Sequence, residues 1–334
     1  MLEIGKLDSE LLRQIVFDNI RFRRPEIITR PGIGEDCAVI DFGENECVMS
    51  TDPISSAINQ IGRLAIHISC NDIASNGVQP LGITLAVMLP PGTTEEEINE
   101  MMRQAGEASE ELQVEIIGGH TEITDAVKQP VIVSTAVGRA PKGGSQDAKD
   151  MAVGDLIMIT KAAGLEGSGV IANDFEEELA EFMKADEIEE AKSMLEEVSV
   201  VTEGVAAGKI GTHGMHDVTE GGILGAVWEM CDIAGLGVEI WEDKIPVRPV
   251  TAKICEHFDI NVFRLISSGA MVIVVPRDKK DEMAAAMKAK NVPASYIGEV
   301  KEKAFGLMLK SGEDGSLSEI VPPYSDELYK VVAR

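Results

Sequence analysis

The chain has 334 residues and 44% apolar content, enough for two ordinary domains with a sizeable core, although aromatics are only 4%. Its formal net charge of −27 argues against a nucleic-acid or anionic-membrane binder, because both need a basic footprint, and an anionic substrate would need a cation to reach this surface. No run approaches the ~18 apolar residues of a bilayer span, and the N-terminus has no apolar segment of the signal-peptide kind. Five cysteines (37, 47, 70, 231, 255) form no Cys-x-x-Cys pair. Neither a disulfide framework nor a zinc site is expected, and a cytoplasmic location with reduced thiols is.

Residues 7–20 carry the stripe Leu7, Leu11, Leu12, Ile15, Val16 of an amphipathic helix, with Asp8 or Ser9 as its capping signal. Residues 21–30, broken by Pro25 and Pro31, are the most basic part of the chain and read as an extended loop, either solvated or a phosphate contact. Next comes Gly32-Ile33-Gly34-Glu35-Asp36-Cys37, two acids behind a Gly-x-Gly pair. A strand over 46–51 leads to a third acid in Ser50-Thr51-Asp52. Glycines allow a tight turn, and carboxylates gathered there suit a hard cation such as Mg²⁺, which brings substrate phosphates with it. A solvated surface turn is the plain alternative.

A helix over 60–75 has Ile61, Leu64, Ala65 and Ile68 on one face. Asp72 continues that face at i+4 from Ile68, where a carboxylate is costly unless it is paired or ligates a metal. Asn71 lies beside it, and Gly77 ends the helix. A strand over 81–89 stops at Pro90-Pro91-Gly92. Thr94 and Glu97 then form a capping box for a helix with Ile98, Met101, Met102, Ala105, Ala108 and Leu112 on its core face. A strand over 114–117 runs into Gly118-Gly119-His120-Thr121, a second glycine turn, and another over 131–137 ends at Gly138-Arg139.

The polar, glycine-rich stretch 141–150 marks the domain boundary, giving units of 1–140 and 150–334. A strand is expected over 156–160, and the glycines of 164–169 enter a helix. Residues 174–197 hold eleven acids and two lysines and read as exposed helical faces. Met215-His216-Asp217-Val218-Thr219-Glu220-Gly221-Gly222 is a third polar glycine turn, ahead of a helix over 223–234. Strands are expected over 237–240, 270–275, 295–300 and 305–309, with helices over 279–290 and in the tail 324–334. Strands and helices interleave in both halves, so the fold class is mixed α/β (α+β).

Together these turns resemble the AIR synthase-related (PurM-like) superfamily, whose members include thiamine-monophosphate kinase, selenophosphate synthetase and the hydrogenase maturation protein HypE. Gly34-Glu35-Asp36-Cys37-Ala38 is similar to the family's first acidic turn, and Ser50-Thr51-Asp52 to its Thr-Asp strand end. The run from Asn71-Asp72 through Gly77 to Pro80 resembles its Asn-Asp-x-x-x-x-Gly-x-x-Pro signature, and Gly118-Gly119-His120-Thr121 its Gly-Gly-x-Thr turn. Val153-Gly154-Asp155-Leu156, His216-Asp217-Val218-Thr219 and Ile245-Pro246-Val247 resemble the hydrogenase maturation branch. The resemblance implies a two-domain, PurM-like architecture. N-terminal domains would pair into a homodimer with a β-barrel-like interface, and a C-terminal α+β domain would cover the site.

It also implies ATP and Mg²⁺ as cofactors. Glu35, Asp36, Asp52 and Asp72 would hold the metal. Gly34, Gly118, Gly119, His120, Thr121 and Arg139 would line the nucleotide. His216 and Asp217 would face the acceptor or the phosphates as candidate catalytic residues. The implied activity is phosphorylation or activation of a small-molecule or acyl/amide acceptor; a nucleotide-binding scaffold without turnover and a thiamine-monophosphate-type kinase are the alternatives.

Three positions depart from the pattern. His120 stands where kinase members have Asp, and a neutral imidazole does not replace a carboxylate on Mg²⁺. Glu220 stands where the maturation protein has Arg. The last cysteine is Cys255, whereas that protein ends in a reactive cysteine, so its cyanide-forming reaction is not expected here.

Overall fold

The computed structural model describes residues 9–20, 22–55, 60–323 and 325–332. Positions 7, 8 and 21 of the first two expected elements, the capping side chain at 9, and positions 324, 333 and 334 of the tail lie outside the described residues. The first helix stops short of the expected residue 20: α1 spans Ser9–Ile15 and a 3₁₀ turn follows at Phe17–Asn19.

Six strands form the first sheet: β1 (Ile27–Thr29), β2 (Ala38–Asp41), β3 (Asn45–Ile54), β4 (Pro80–Leu89), β5 (Glu115–Ile123) and β6 (Val131–Pro141). Their order is β1-β2-β3-β6-β4-β5, antiparallel except for the β4–β5 pair. The crossover between those two parallel strands is α3 (Glu95–Leu112), which begins with the expected Thr94–Glu97 capping box. It packs beside α2 (Ile61–Ser75) on one face of the sheet, closing a core of Val48, Ile66, Ile73, Ile83, Leu85 and Ala105 with their neighbours. On the opposite face Cys47, Met49, Ala86, Met88, Val133 and Val137 remain half-exposed.

The arginine-rich stretch contains a strand rather than being wholly loop, since β1 adds to β2, itself unread in the sequence. Gly118-Gly119-His120-Thr121 is not a turn. It lies inside β5, where Gly119 pairs with Leu85 and approaches so closely that a Cβ would sit 2.0 Å from the Leu85 carbonyl oxygen. The glycines serve close strand approach, which sequence cannot distinguish from turn formation.

The second sheet has seven strands: β7 (Leu156–Thr160), β8 (Met215–Asp217), β9 (Gly237–Trp241), β10 (Met271–Val275), β11 (Ala294–Lys301), β12 (Leu307–Lys310) and β13 (Leu317–Glu319). The order is β13-β12-β9-β11-β7-β10-β8. Helices cover both faces. Ile157 and Ile159 of β7 enter the core under α4 (Leu165–Asp174), α8 (Gly222–Ala234) and α9 (Pro249–Phe258). Leu156 and Met158 enter the one under α7 (Val201–Ile210) and α10 (Lys280–Ala289). A continuous apolar strand is what two-sided burial requires. The acidic stretch forms α5 (Glu176–Leu179) and α6 (Ala185–Ser193), with Leu179, Ile188 and Ala191 inward. The tail contributes α11 (Glu327–Val332). His216 and Asp217 sit on the short edge strand β8, paired with Val272 and Met271, not in the turn that follows.

The halves meet along α2 and α7. Gly204 and Gly208 let α7 lie against α2 and its end, since a Cβ on either would come within 2.5 Å of Ala74 or Gly77 backbone. Asn71, fully buried, donates from Nδ2 to Val198 O (2.8 Å) and accepts from Val200 N (2.9 Å). Neither α7 nor α9 was legible as a helix. Glycines dilute α7's stripe, and α9 opens on Pro249, which reads equally well as a loop.

Candidate functional site

The acids from distant parts of the first half converge. Asp72 is 7% exposed on the inner face of α2. It accepts a hydrogen bond from Ser50 Oγ on β3, which also reaches Asp52 Oδ2 at 3.4 Å. Ser69 Oγ, one turn before Asp72, lies 3.5 Å from the same Asp52 oxygen. Burial first, then the charges of Asp52, Asp217 and Asp36, push the Asp72 carboxyl far above the usual carboxylate range. The same acids, after burial, push the neighbouring Cys37 thiol up. Carboxyls that raise one another in this way need a cation to ionise together.

The second half supplies the other wall. Gly34, at φ +72°, seats the first acidic turn on α8 so closely that a Cβ would stand 2.9 Å from the Glu229 Cβ. That contact presents Asp36 to β8. His216 Nε2 lies 3.4 Å from Asp36 Oδ1 and 3.0 Å from Glu229 Oε2. Its Nδ1 lies 2.7 Å from the Asp217 carbonyl and 3.9 Å from Asp217 Oδ1. Burial alone would lower the His216 pKa, but Asp36, the Glu229 hydrogen bond and Asp217 together push it up to about 10. The Asp217 amide donates to Ser75 Oγ of α2 at 3.1 Å, tying β8 to the first half. One ligand atom each from Asp36, His216 and Asp217 falls within 4.8 Å of the others. The arrangement can hold a divalent cation at the junction of the halves.

The remaining predicted residues lie apart from this cluster. Glu35 pairs with Lys149, which also binds Asp147 at 3.0 Å; burial raises the Glu35 pKa and Lys149 opposes the shift. Gly118 to Thr121 occupy the edge strand β5. The register row Asp52–Ser134–Leu85–Gly119 puts Gly119 three strands from Asp52, about 14 Å at normal strand spacing. His120 is exposed and lies 3.4 Å from Glu122. Arg139 is exposed on β6 opposite Cys47. Sequence reading missed Glu229, the buried acid of an otherwise apolar helical face; that anomaly was its available signal.

Residues 34–140 match the family described as AIR synthase related protein, N-terminal domain, and residues 152–310 match its C-terminal domain. The chain belongs to the AIR synthase related family. It is 26% identical over 324 residues to a putative hydrogenase expression/formation protein of Methanocaldococcus jannaschii, covering 92% of this chain and 91% of that protein. Carbamoyl dehydratase HypE of Bradyrhizobium diazoefficiens is 29% identical over 275 residues, covering 80% and 78%. Among solved structures, a HypE–HypF complex superposes with TM-score 0.77 at 23% identity, covering 93% of this chain and 99% of that one. A HypE in complex with ATP gives 0.75 at 20% identity, covering 97% of each. The two mixed sheets are thus the two-domain arrangement of this fold. Among the described residues no helix is long and apolar enough to cross a membrane.

Proposed function

We propose that the chain is an ATP- and Mg²⁺-dependent enzyme that phosphorylates or otherwise activates an acyl, amide or other small-molecule acceptor, acting as a homodimer. One observation carries the reading: acids at positions 36, 52 and 72, far apart in sequence, meet with Asp217 in a buried cluster between the halves. An oxygen-rich, mutually repelling donor set of this kind fits a hard divalent ion. Mg²⁺, when bound, neutralises phosphate charge. The protein's own part is to hold Asp36, Asp52 and Asp72 against that ion; Glu35, on the same turn as Asp36, would join them only by leaving its pairing with Lys149. His216 and Asp217 orient the acceptor or the phosphates. Gly34, Gly118, Gly119, His120, Thr121 and Arg139 are read as the nucleotide side, on the turn and strands leading away from the acids.

A similar HypE is described in complex with ATP, which supports the nucleotide. Another is described bound to HypF, so an acceptor carried by a protein is within the reading. The half-exposed sheet face around Met49 and Val133 supports the homodimer, because a second copy would cover it.

The test is ATP turnover by purified protein across candidate acceptors, with Asp52→Asn as control. Turnover should fall at least about 100-fold in that variant, as for loss of a charged group acting on the transition state. Undiminished turnover would refute the metal assignment. Tight ATP binding without turnover on any acceptor would favour the scaffold reading.

A further inference from the structure

Beyond Asp217, under the C-terminal helix, lies a second polar group that no basic side chain serves. Glu166 opens α4, and Ser268 sits in the loop before β10; both are buried, Ser268 fully. By distance and angle, Glu166 Oε2 and Ser268 Oγ complete no hydrogen bond. Ser268 is nonetheless close enough to ease the charge of the Glu166 carboxyl. After burial, the charges of Asp326, Glu220 and Asp217 all work against ionising that carboxyl. Among the described residues, no Lys, Arg or His pairs with Glu166, Glu220 or Asp326. We propose that Glu166 and Ser268, walled by Glu220, Asp326 and Asp217 under α11, hold the positively charged nitrogen of the acceptor, an ammonium, amidinium or guanidinium group. The inference rests on the enzyme reading above for the ligand's being the acceptor, but its binding requires neither ATP nor metal.

The donors around this group are already committed. Asp326 accepts from the amides of Gly221 (2.7 Å), Ile266 (3.2 Å) and Leu328 (2.8 Å). Glu220 accepts from the Tyr329 hydroxyl at 2.6 Å. The outer acids are therefore satisfied, and the inner pair, Glu166 and Ser268, is not. A buried acceptor left in that state costs about 1–3 kcal/mol, and more when it is charged. The basic side chains of the adjoining loops are turned to other work. Lys161 donates to Glu203 (2.6 Å), Ser199 O (2.7 Å) and Gly269 O (2.6 Å), and Arg264 to Val321 O (2.8 Å). A neutral donor would satisfy the oxygens but leave the carboxyls repelling one another. A positive nitrogen answers both demands, because it donates and it stabilises the ionised form. Glu220 and Tyr329 are the half-buried members, so their hydrogen bond closes the solvent side and must open for entry. Asp217 stands on the other side, toward the acid cluster. A ligand anchored by its nitrogen at Glu166 would thus turn its far end to the residues read as handling the phosphates.

The experiment uses full-length protein without nucleotide, in physiological salt and excess Mg²⁺ so that other acids are screened or occupied. The pH is 8, above the Glu166 value of about 7. Butylamine, butylguanidine and the neutral butanol are titrated in, and binding is read by saturation-transfer NMR on the ligands. At least one cationic probe should bind at least about tenfold more tightly than butanol, the effect of one charge-assisted hydrogen bond. Glu166→Gln should bring that probe down to the butanol level. Equal binding of cationic and neutral probes, or no binding of either, overturns the proposal, and both are read on the wild type, so poor folding of a variant does not obscure them. A preference that survives Glu166→Gln overturns it as well. If the cationic probe binds as expected but no acceptor supports ATP turnover, the site stands and the enzyme reading falls. Turnover confined to uncharged acceptors would leave the enzyme reading standing and overturn this one.

Discussion

The two sheets of this protein are finished differently. The second is packed on both faces, with Ile157 and Ile159 in one core and Leu156 and Met158 in another. Among the described residues the first has helices on one face only, and its other face shows a half-exposed row through Met49, Val133, Val137 and Ala86. A two-sided sheet is complete within its own chain, whereas a one-sided sheet with an apolar outer row is built to be covered. The acid cluster sits where the complete half closes on the incomplete one. Its geometry therefore depends on the fit of α7 against α2 more than on either sheet alone.

The sharpest way to break the comparison is to place one carboxylate in each sheet. Val272 is fully buried in β10, so Val272→Asp leaves a charge without compensation in a sealed core. The cost exceeds about 5 kcal/mol, and soluble folded protein should not be recovered. Val133 faces the uncovered side of β6. Val133→Asp should change unfolding free energy of the monomer by less than about 1 kcal/mol, yet split the proposed homodimer, read by light scattering after gel filtration. A wild type that is monomeric, or a Val133→Asp protein that stays dimeric, would sink the covered-face argument.

An intermediate effect belongs to the seam. A Cβ on Gly208 would stand 2.5 Å from the Gly77 Cα and carbonyl oxygen, so Gly208→Val must push α7 off the end of α2. The expected loss is about 1–3 kcal/mol in a denaturant titration, the usual range for overpacking. Because Ser75 on α2 holds the Asp217 amide, the same variant should also weaken metal binding. A variant that loses stability but binds Mg²⁺ unchanged would show that the cluster does not depend on this seam.

How much of this was legible in the sequence depended on whether a signal was local. The capping box at Thr94 and Glu97 is a local pattern, and it appears as read. Asp72 was legible because an acid on an apolar stripe is anomalous at helical spacing, and it is buried as that anomaly required. Gly118-Gly119 was misread because a glycine pair serves a turn and a close strand approach equally. Only pairing with Leu85, more than thirty positions earlier, decides between them. The role of His216 was open because its partners come from three places, Asp36 on a distant turn, Glu229 one helix later and its own neighbour's carbonyl. Tertiary contacts of this kind leave no periodicity to read.

A last expected effect, confined to high pH, concerns the complete half, where an acid that is not part of the cation cluster is buried. Glu166 opens α4 at 7% exposure, beside Ser268 and near Asp326, Glu220 and Asp217. Burial, reinforced by those acids against a smaller opposing effect of Ser268, pushes its pKa up to about 7, and burial pushes Asp326 up to about 6 although three backbone amides donate to it. A carboxyl with a raised folded pKa binds its proton more tightly in the native state than in the unfolded chain. Its contribution is therefore full below the unfolded value near 4.5, and stability is lost as pH rises from there through about 7. Glu166→Gln removes the titration while keeping the shape. The variant should melt close to the wild type at pH 4.5 and higher than it at pH 8, by at most about 3 kcal/mol of stability. Melting curves at both pH values decide the matter. An equal difference at the two would mean that Glu166 titrates in the folded protein as it does in the unfolded chain, and that even the sheet covered on both sides tolerates a buried charge beside its C-terminal helix.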